Sequence, residues 1–219
     1  MEIGIVGLPN VGKSSLFNAL TGAGVAASNF PFTTIEPHTG VVDVLDERLI
    51  TLALLVKPQK VTPAQVKFVD IAGLVRGASK GEGLGNEFLG HIREVEAILH
   101  VLRAFENALA PHPLGTIDPQ RDFEIVQTEL ILKDLATLEK QTEEKDKVRE
   151  SAVKKLIEGL NKGKLASEVN LTAEEKESVR DLFLLTTKPQ ILVLNVSESQ
   201  LEQKFPPLGK FKLIPLCGK

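Results

Sequence analysis

Residues 2–22 read EIGIVGLPNVGKSSLFNALTG and decide the fold. The apolar run EIGIV predicts a short buried strand, and KSSLFNALTG predicts a helix that ends near Gly22. Residues 7–14, which comprise the segment between them and the first two residues of the helix, fit the pattern G-x-x-x-x-G-K-[ST] in full. In this position between a strand and a helix, the pattern predicts a phosphate-binding loop. The plain structural alternative is a glycine turn before a helix.

The residue types in this loop suit phosphate chemistry. Glycines let successive backbone N–H groups point at phosphate oxygens, and the helix N-terminus adds positive potential. We expect Lys13 to place its charge on the β- and γ-phosphates as a catalytic group, and Ser14 to offer a hydroxyl to Mg²⁺. The predicted phosphate contacts are Asn10, Val11, Gly12, Lys13, Ser14 and Ser15.

A second motif, Asp70-Ile71-Ala72-Gly73, ends the predicted strand AQVKFVDIAG. An aspartate at the end of a parallel strand can hold the water shell of Mg²⁺, and Gly73 can bring its N–H to a γ-phosphate. Upstream, the irregular segment 24–40 contains Thr34, which we choose as the Mg²⁺-binding hydroxyl and a catalytic candidate. The alternative is that the threonine only forms a turn. With the glycine-rich segment after Asp70, the pattern predicts two segments ordered by γ-phosphate and Mg²⁺.

The bulk composition is that of an ordinary globular protein. The chain has 219 residues, 42% of them hydrophobic, with a formal net charge of −3 and one cysteine, Cys217. A single cysteine excludes an internal disulfide and a multi-cysteine metal site, and it fits a reducing compartment. The charge gives no global basic field, so we expect no direct DNA binding, and the sequence lacks an apolar run of membrane-spanning length. We therefore expect a cytoplasmic protein without membrane contact.

Strands that alternate with helices predict an α/β fold with a mainly parallel sheet, in which ligands bind at the carboxyl ends of the strands. The composition changes at 119–185, where helical spacing continues into the charged run EKQTEEKDKVRE. SAVKKLIEGL and LTAEEKESVRDLFLL predict further helices, the second opened by a capping box of Thr172 and Glu175. The sequence thus predicts a nucleotide-binding domain formed by 1–118 and 186–219, interrupted by a helical, coiled-coil-like arm.

Three long motifs carry a family resemblance: GLPNVGKSSLFNAL, NFPFTTIEPHTG and DIAGLVRGASKGEGLGNEFLGHIRE. They resemble the TRAFAC-class Obg/Drg group of P-loop NTPases and, within it, the Obg-like ATPase (YchF) subfamily. The resemblance implies a Ras-like domain with a coiled-coil insertion and an association with ribosomes and translation. Members continue into another helix and a C-terminal TGS domain, which this sequence does not contain, so we expect it to represent the N-terminal part only. What that further part contacts is then open.

The base-reading motif departs from that of guanine-specific members of this class, which carry Asn-Lys-x-Asp. Here the chain reads Asn195-Val196-Ser197-Glu198 after an apolar strand. We expect Asn195 to pair with adenine and Val196 to offer an apolar surface to the ring, while Glu198 is too long to hold guanine. The pattern resembles that of the Obg-like ATPases, which implies ATP over GTP. The alternative is that Asn195 only caps the strand and Glu198 faces water.

The group that positions the attacking water is not obvious. Leu74 stands where Ras-like switches place a glutamine, so intrinsic turnover should be slow unless another group substitutes. His112 lies in the proline-interrupted loop 104–119, and because imidazole is a common general acid and base in catalysis, it is a catalytic candidate. His91 and His100 have weaker claims, and for His100, in a buried strand, a hydrogen-bonded structural role is expected.

These expectations combine into an Mg²⁺-dependent P-loop ATPase that acts as a slow conformational switch. Its expected partners are ATP and the ribosome, the latter through the helical arm and the C-terminal part that is absent here. Lys154, Lys155, Lys162 and Lys164 form a modest basic cluster on the arm, although a solvated charged face explains it equally. Three alternatives remain: a GTPase of the Obg type that binds GTP and GDP, a nucleotide-sensing binding module with negligible hydrolysis, and a P-loop kinase. The kinase is disfavoured because no arginine-rich lid is present.

Overall fold

A six-stranded sheet in the order β2-β3-β1-β4-β5-β6 forms the centre of the molecule. The structure is a computed structural model that describes residues 1–24, 38–71, 84–141 and 146–218, with the backbone alone for 84–87. The strands are β1 (Glu2–Val6), β2 (His38–Asp43), β3 (Gln65–Asp70), β4 (Ala97–Arg103), β5 (Gln190–Asn195) and β6 (Leu213–Leu216). All neighbouring pairs are parallel except β2 with β3. The predicted mainly parallel α/β fold is confirmed.

Six α-helices accompany the sheet in the described part of the chain. They are α1 (Lys13–Thr21), α2 (Glu47–Val56), α3 (Leu84–Glu94), α4 (Pro119–Leu138), α5 (Lys147–Asn161) and α6 (Ala173–Ser178). Among the residues that the structure describes, no helix combines the length and apolarity needed to cross a bilayer.

The burial of the strands follows their place in the sheet. Every residue of the central strand β4 is buried, as are the last four of β1, because parallel strands are covered on both faces. The edge strand β2 has no buried residue. Because β3, β1, β4 and β5 are neighbouring parallel strands, their carboxyl ends meet at the same edge of the sheet, and the predicted motifs follow these ends.

Three clusters of buried apolar residues support the described part of the chain: a main core and a smaller cluster around β5 and β6 in the sheet, and a separate core in the arm. The main core joins β1, β3 and β4 to α1, α3 and the first half of α4, and includes Phe17, Ile98 and Val126. The second core lies within the predicted arm and joins α4 and α5 to the segments after them; its members are Leu138, Ala152, Val153, Leu156, Leu160, Ala166, Leu171, Val179, Leu182 and Leu184. The arm is therefore packed around a core of its own. Its limits as a domain, 119–185, stay a prediction.

Asp134 fixes the return of the chain from the arm to the sheet. The fully buried carboxylate on α4 accepts hydrogen bonds from Leu185 N at 2.7 Å, Thr186 N at 2.8 Å and Thr186 Oγ1 at 2.7 Å. Burial raises the pKa of Asp134, and these hydrogen bonds oppose that rise because they stabilise the ionised form. The segment that leads into β5 is thereby attached to α4.

Candidate functional site

The predicted phosphate loop turns sharply between β1 and α1. Asn10 and Gly12 have positive φ angles of 62° and 96°, and α1 begins directly afterwards at Lys13. A Cβ atom on Gly12 would lie 2.2 Å from Nδ2 of Asn195. Any side chain at position 12 would therefore displace the Asn195 amide that supports the loop.

Lys13 is held inside the loop, with only 8% of its surface exposed. Its Nζ donates to the carbonyl of Leu8 at 3.0 Å. Burial lowers the pKa of Lys13 to about 8, while the nearby Asp70 carboxylate acts in the opposite direction. An ammonium group with this little hydration gains stabilisation when phosphate oxygens replace the carbonyl as its hydrogen-bond partner.

Ser14 and Asp70 meet across the ends of α1 and β3. Ser14 Oγ donates to Asp70 Oδ2 at 2.7 Å, and the buried Asp70 Oδ1 has no hydrogen-bond partner among the residues that the structure describes. Hydroxyl and carboxylate oxygens are the hard ligands that Mg²⁺ takes, usually alongside waters and substrate phosphates. The unsatisfied oxygen therefore fits a cation or its water. Among the described residues no cluster of three or more His, Cys, Asp or Glu side chains forms a metal cage.

Three predicted positions fall outside the residues that the structure describes: Thr34, Gly73 and Leu74. Their roles at the γ-phosphate and at Mg²⁺ stay predictions.

Asn195 supports the phosphate loop from the end of β5. Its Nδ2 donates to Val11 O at 3.0 Å, and its Oδ1 accepts from Gly218 N at 3.1 Å. The side chain is 4% exposed. An adenine contact would have to use the second N–H and the second lone pair of the amide, so base reading by Asn195 stays a prediction.

Val196 lies among buried residues. Its side chain is 1% exposed and packs in a cluster with Leu102, Leu194 and Leu208, and its contact with a base stays a prediction. The side chain of Val196 is turned inward because Val196 N donates to Leu216 O at 2.9 Å, which continues the β5–β6 pairing. Glu198 begins a short 3-10 turn and is exposed.

His112 is buried away from solvent. Its Nδ1 accepts from Leu114 N at 3.2 Å, and its Nε2 lies 2.8 Å from Asp122 Oδ2 in the first turn of α4. Since Nδ1 is an acceptor, the ring carries its proton on Nε2 and donates it to the carboxylate. Both nitrogens are thus occupied, and a water-positioning role for His112 requires it to leave Asp122.

His100 differs from expectation, whereas the lysine cluster agrees with one of its two interpretations. His100 is fully buried and stacks on Phe123 at 5.8 Å, but within the described part of the chain neither ring nitrogen has a hydrogen-bond partner. On the arm, three of the four clustered lysines form ion pairs with glutamates: Lys154 with Glu150, Lys155 with Glu175, and Lys162 with Glu158. These pairs favour the solvated charged face over a phosphate-binding patch.

Arg103 is a residue at the site that the motif patterns miss. It ends β4 with 1% exposure, and its Nη1 donates to the phosphate-loop carbonyl of Asn10 at 2.9 Å. The only signal in the sequence is a charged residue that closes the buried strand AILHVLR.

Comparison with known proteins agrees with this geometry. A family model described as 50S ribosome-binding GTPase matches residues 2–120. The ribosome-binding ATPase YchF of Escherichia coli O157:H7 is 52% identical over 236 aligned residues, which cover 99% of this chain and 65% of that protein. The Bacillus subtilis YchF is 50% identical over 211 residues, which cover 92% of this chain and 58% of that protein.

A solved structure gives the same result. The YchF GTPase of Schizosaccharomyces pombe superposes with a TM-score of 0.78 at 36% identity and covers 100% of this chain and 65% of its own. This chain therefore spans less than two thirds of the length of these relatives.

Proposed function

Since the chain belongs to the 50S ribosome-binding GTPase family and is similar over nearly its whole length to YchF proteins, we propose that it is an Mg²⁺-dependent ATPase acting as a slow conformational switch on the ribosome. The observation that carries the proposal is the Ser14–Asp70 contact of 2.7 Å beside the buried Lys13 ammonium. It joins a positive charge and hard oxygen ligands at one helix N-terminus.

The residues divide the work on the phosphates. Lys13 binds the β- and γ-phosphates, backbone N–H groups of residues 10–15 bind the remaining oxygens, and Ser14, Asp70 and Thr34 hold the metal. Bound Mg²⁺ supplies charge neutralisation on the transferred phosphoryl group. Gly73 is assigned to the γ-phosphate.

Water activation is the weak part of the site, which supports slow turnover. Leu74 cannot orient a water molecule, and His112 can do so only after its Nε2–H leaves Asp122. A rearrangement of loop 104–118 would then be a condition of hydrolysis, and a partner that releases His112 would accelerate it.

The choice of ATP over GTP is proposed from the base motif. Glu198 takes the place of the shorter aspartate that holds guanine, and its carboxylate is exposed. The relatives carry both descriptions, since the bacterial proteins are called ATPases and the S. pombe protein a GTPase. A GTPase is therefore the second candidate.

Titration calorimetry with ATP, ADP, GTP and GDP, each with and without Mg²⁺, tests the proposal. We expect ATP and ADP to bind, GTP and GDP to bind at least about tenfold more weakly, and Lys13→Ala to remove binding. Tight GDP binding with little ATP binding would establish the GTPase instead.

Phosphate release measured in single-turnover assays, with and without ribosomes, tests hydrolysis separately. The ATPase predicts slow release that ribosomes accelerate. If ATP binds but no phosphate is released in either condition, the chain is a nucleotide-sensing binding module. The relatives and the family model are described as ribosome-binding, and these descriptions are the basis for proposing the ribosome as a partner and the cytoplasm as the location.

A further inference from the structure

Arg103 is the most deeply buried charged side chain next to the phosphate loop. Its Nε donates to Phe105 O at 2.9 Å, and its Nη1 donates to Asn10 O at 2.9 Å and to Ala110 O at 2.7 Å. The guanidinium also lies over the ring of Phe105, 4.4 Å from its centroid. All three acceptors are backbone carbonyls, so this one side chain fixes the backbone of two separate loops.

Arg103 and Asn195 act on neighbouring peptide groups. They are paired residues at the ends of β4 and β5, and they hold the consecutive carbonyls of Asn10 and Val11. The C=O and N–H of a trans peptide point in opposite directions. Two carbonyls held toward the sheet therefore direct the N–H groups of Val11 and Gly12 to the opposite side of the loop, where a phosphate would be bound.

The loop that Arg103 holds continues to the helical arm. Asn10 Nδ2 donates to Pro111 O at 3.1 Å, which adds a second link between the phosphate loop and segment 104–118. One residue later, His112 bonds to Asp122 in the first turn of α4. Arg121 bonds to the other oxygen of Asp122 at 3.0 Å and closes this network. A continuous series of hydrogen bonds thus connects the phosphate loop to the start of α4.

We propose that Arg103 is a positioning residue that sets the phosphate-binding loop for nucleotide and couples that loop to the start of the helical arm. The inference rests on the proposed nucleotide binding and adds the route by which α4 and the nucleotide affect each other. Because coupling is reciprocal, ADP should stabilise the segment 106–122, and a change at α4 should alter ADP affinity.

The test compares Arg103→Met with the unchanged chain and with Arg93→Met. Methionine keeps an unbranched apolar stem but removes the charge and all donors. Arg93 is the matched control, because it is an arginine at the end of α3 whose Nη2 donates to Thr137 on α4 at 2.9 Å, in the part of α4 remote from its first turn. Calorimetry gives the dissociation constant for Mg²⁺–ADP, and hydrogen exchange at saturating ADP gives the protection of amides 106–122.

We expect Arg103→Met to weaken ADP binding about tenfold and to lose the ADP-induced protection of 106–122 even at saturation. Arg93→Met should keep both, and Arg103→Lys should recover part of the affinity. The proposal is overturned if Arg103→Met binds ADP within about twofold of the unchanged chain or retains the protection.

If Arg103→Met does not fold, Asp122→Asn supplies the answer from the other end of the network. It lies on α4, and we expect it to weaken ADP binding about threefold and to reduce the protection of 106–122. Unaltered affinity and protection in Asp122→Asn would refute the coupling. Absence of ADP binding by the unchanged chain would instead refute the proposed function.

Discussion

Lys13 shows how burial prepares one side chain for an anionic ligand. Its pKa is lowered to about 8, because the ammonium group is cut off from water, and only the protonated form attracts phosphate. Bound phosphate raises this pKa again. The affinity for phosphate is therefore highest at pH values below the pKa of Lys13 in the free protein, and it declines at higher pH.

We predict that ADP affinity falls by up to about tenfold per pH unit between about pH 8 and about pH 9.5. Titration calorimetry across this range measures the effect. Lys13→Arg is the control, since a guanidinium stays charged and should remove the pH dependence if it still binds. Constant affinity of the unchanged chain up to pH 9.5 would contradict the role of Lys13.

His100 is the second residue with an unusual charge state. Burial, and secondarily the charge of Lys13, lowers its pKa to about 3. A histidine whose folded pKa lies below its unfolded value binds fewer protons in the folded protein. The unfolded state is therefore favoured as the pH falls below about 6.5.

We predict that this one group removes up to about 2 kcal/mol of unfolding free energy between about pH 6.5 and pH 5. His100→Leu should reduce the acid loss by this amount, and it should be tolerated at neutral pH because the ring nitrogens have no hydrogen-bond partner among the described residues. Urea unfolding at both pH values measures the difference. If the variant loses the same unfolding free energy between the two pH values as the unchanged chain, other groups cause the loss.

At the scale of elements, local signals account for most of the helices and strands. The EIGIV strand, the α1 helix with Gly22 at its C-cap, and the Thr172–Glu175 capping box occur as predicted. The helix predicted over 171–185 does not: α6 ends at Ser178, and Phe183 has a left-handed backbone with φ of 46°. Chain reversal around the arm core, with Leu182 and Leu184 buried, overrides the helical propensity of that segment.

The connection between α4 and the segment before β5 is predicted to depend on Asp134. Asp134→Asn replaces an acceptor oxygen by a donor that faces N–H groups, so we expect a loss of about 2–4 kcal/mol in unfolding free energy. Asp181→Asn is the control, because its ion pair with Arg149 lies at an exposed aspartate and should cost less than about 1 kcal/mol. Equal losses in urea unfolding would contradict the anchoring role.

At the scale of the whole molecule, the arm core and the main sheet core predict separable stabilities. Leu156 lies in the arm core and Ile98 in the sheet core, and both are almost fully buried. Truncation of such a side chain to alanine costs about 2–5 kcal/mol. The consequence for ligand binding should differ, because only the sheet core supports the phosphate loop.

We predict that Leu156→Ala increases hydrogen exchange in α5 while ADP affinity changes less than about threefold, whereas Ile98→Ala weakens both the sheet and ADP binding. Exchange measurements and calorimetry on the two variants test this difference. If Leu156→Ala reduced ADP affinity as much as Ile98→Ala, the arm and the sheet would form one cooperative unit.

The sequence by itself determined the strand, loop and helix of the phosphate site, the mainly parallel α/β fold and the family. These features depend on local periodicity and on residue types at fixed spacing. Only the tertiary structure decided that Val196 is in the core, that His112 is bound to Asp122, and that Arg103 and Asn195 hold successive carbonyls of the phosphate loop. The His112–Asp122 contact depends on the folding of the loop before α4, and the others depend on strand register and chain return between residues up to 184 positions apart, where local patterns carry no distance information.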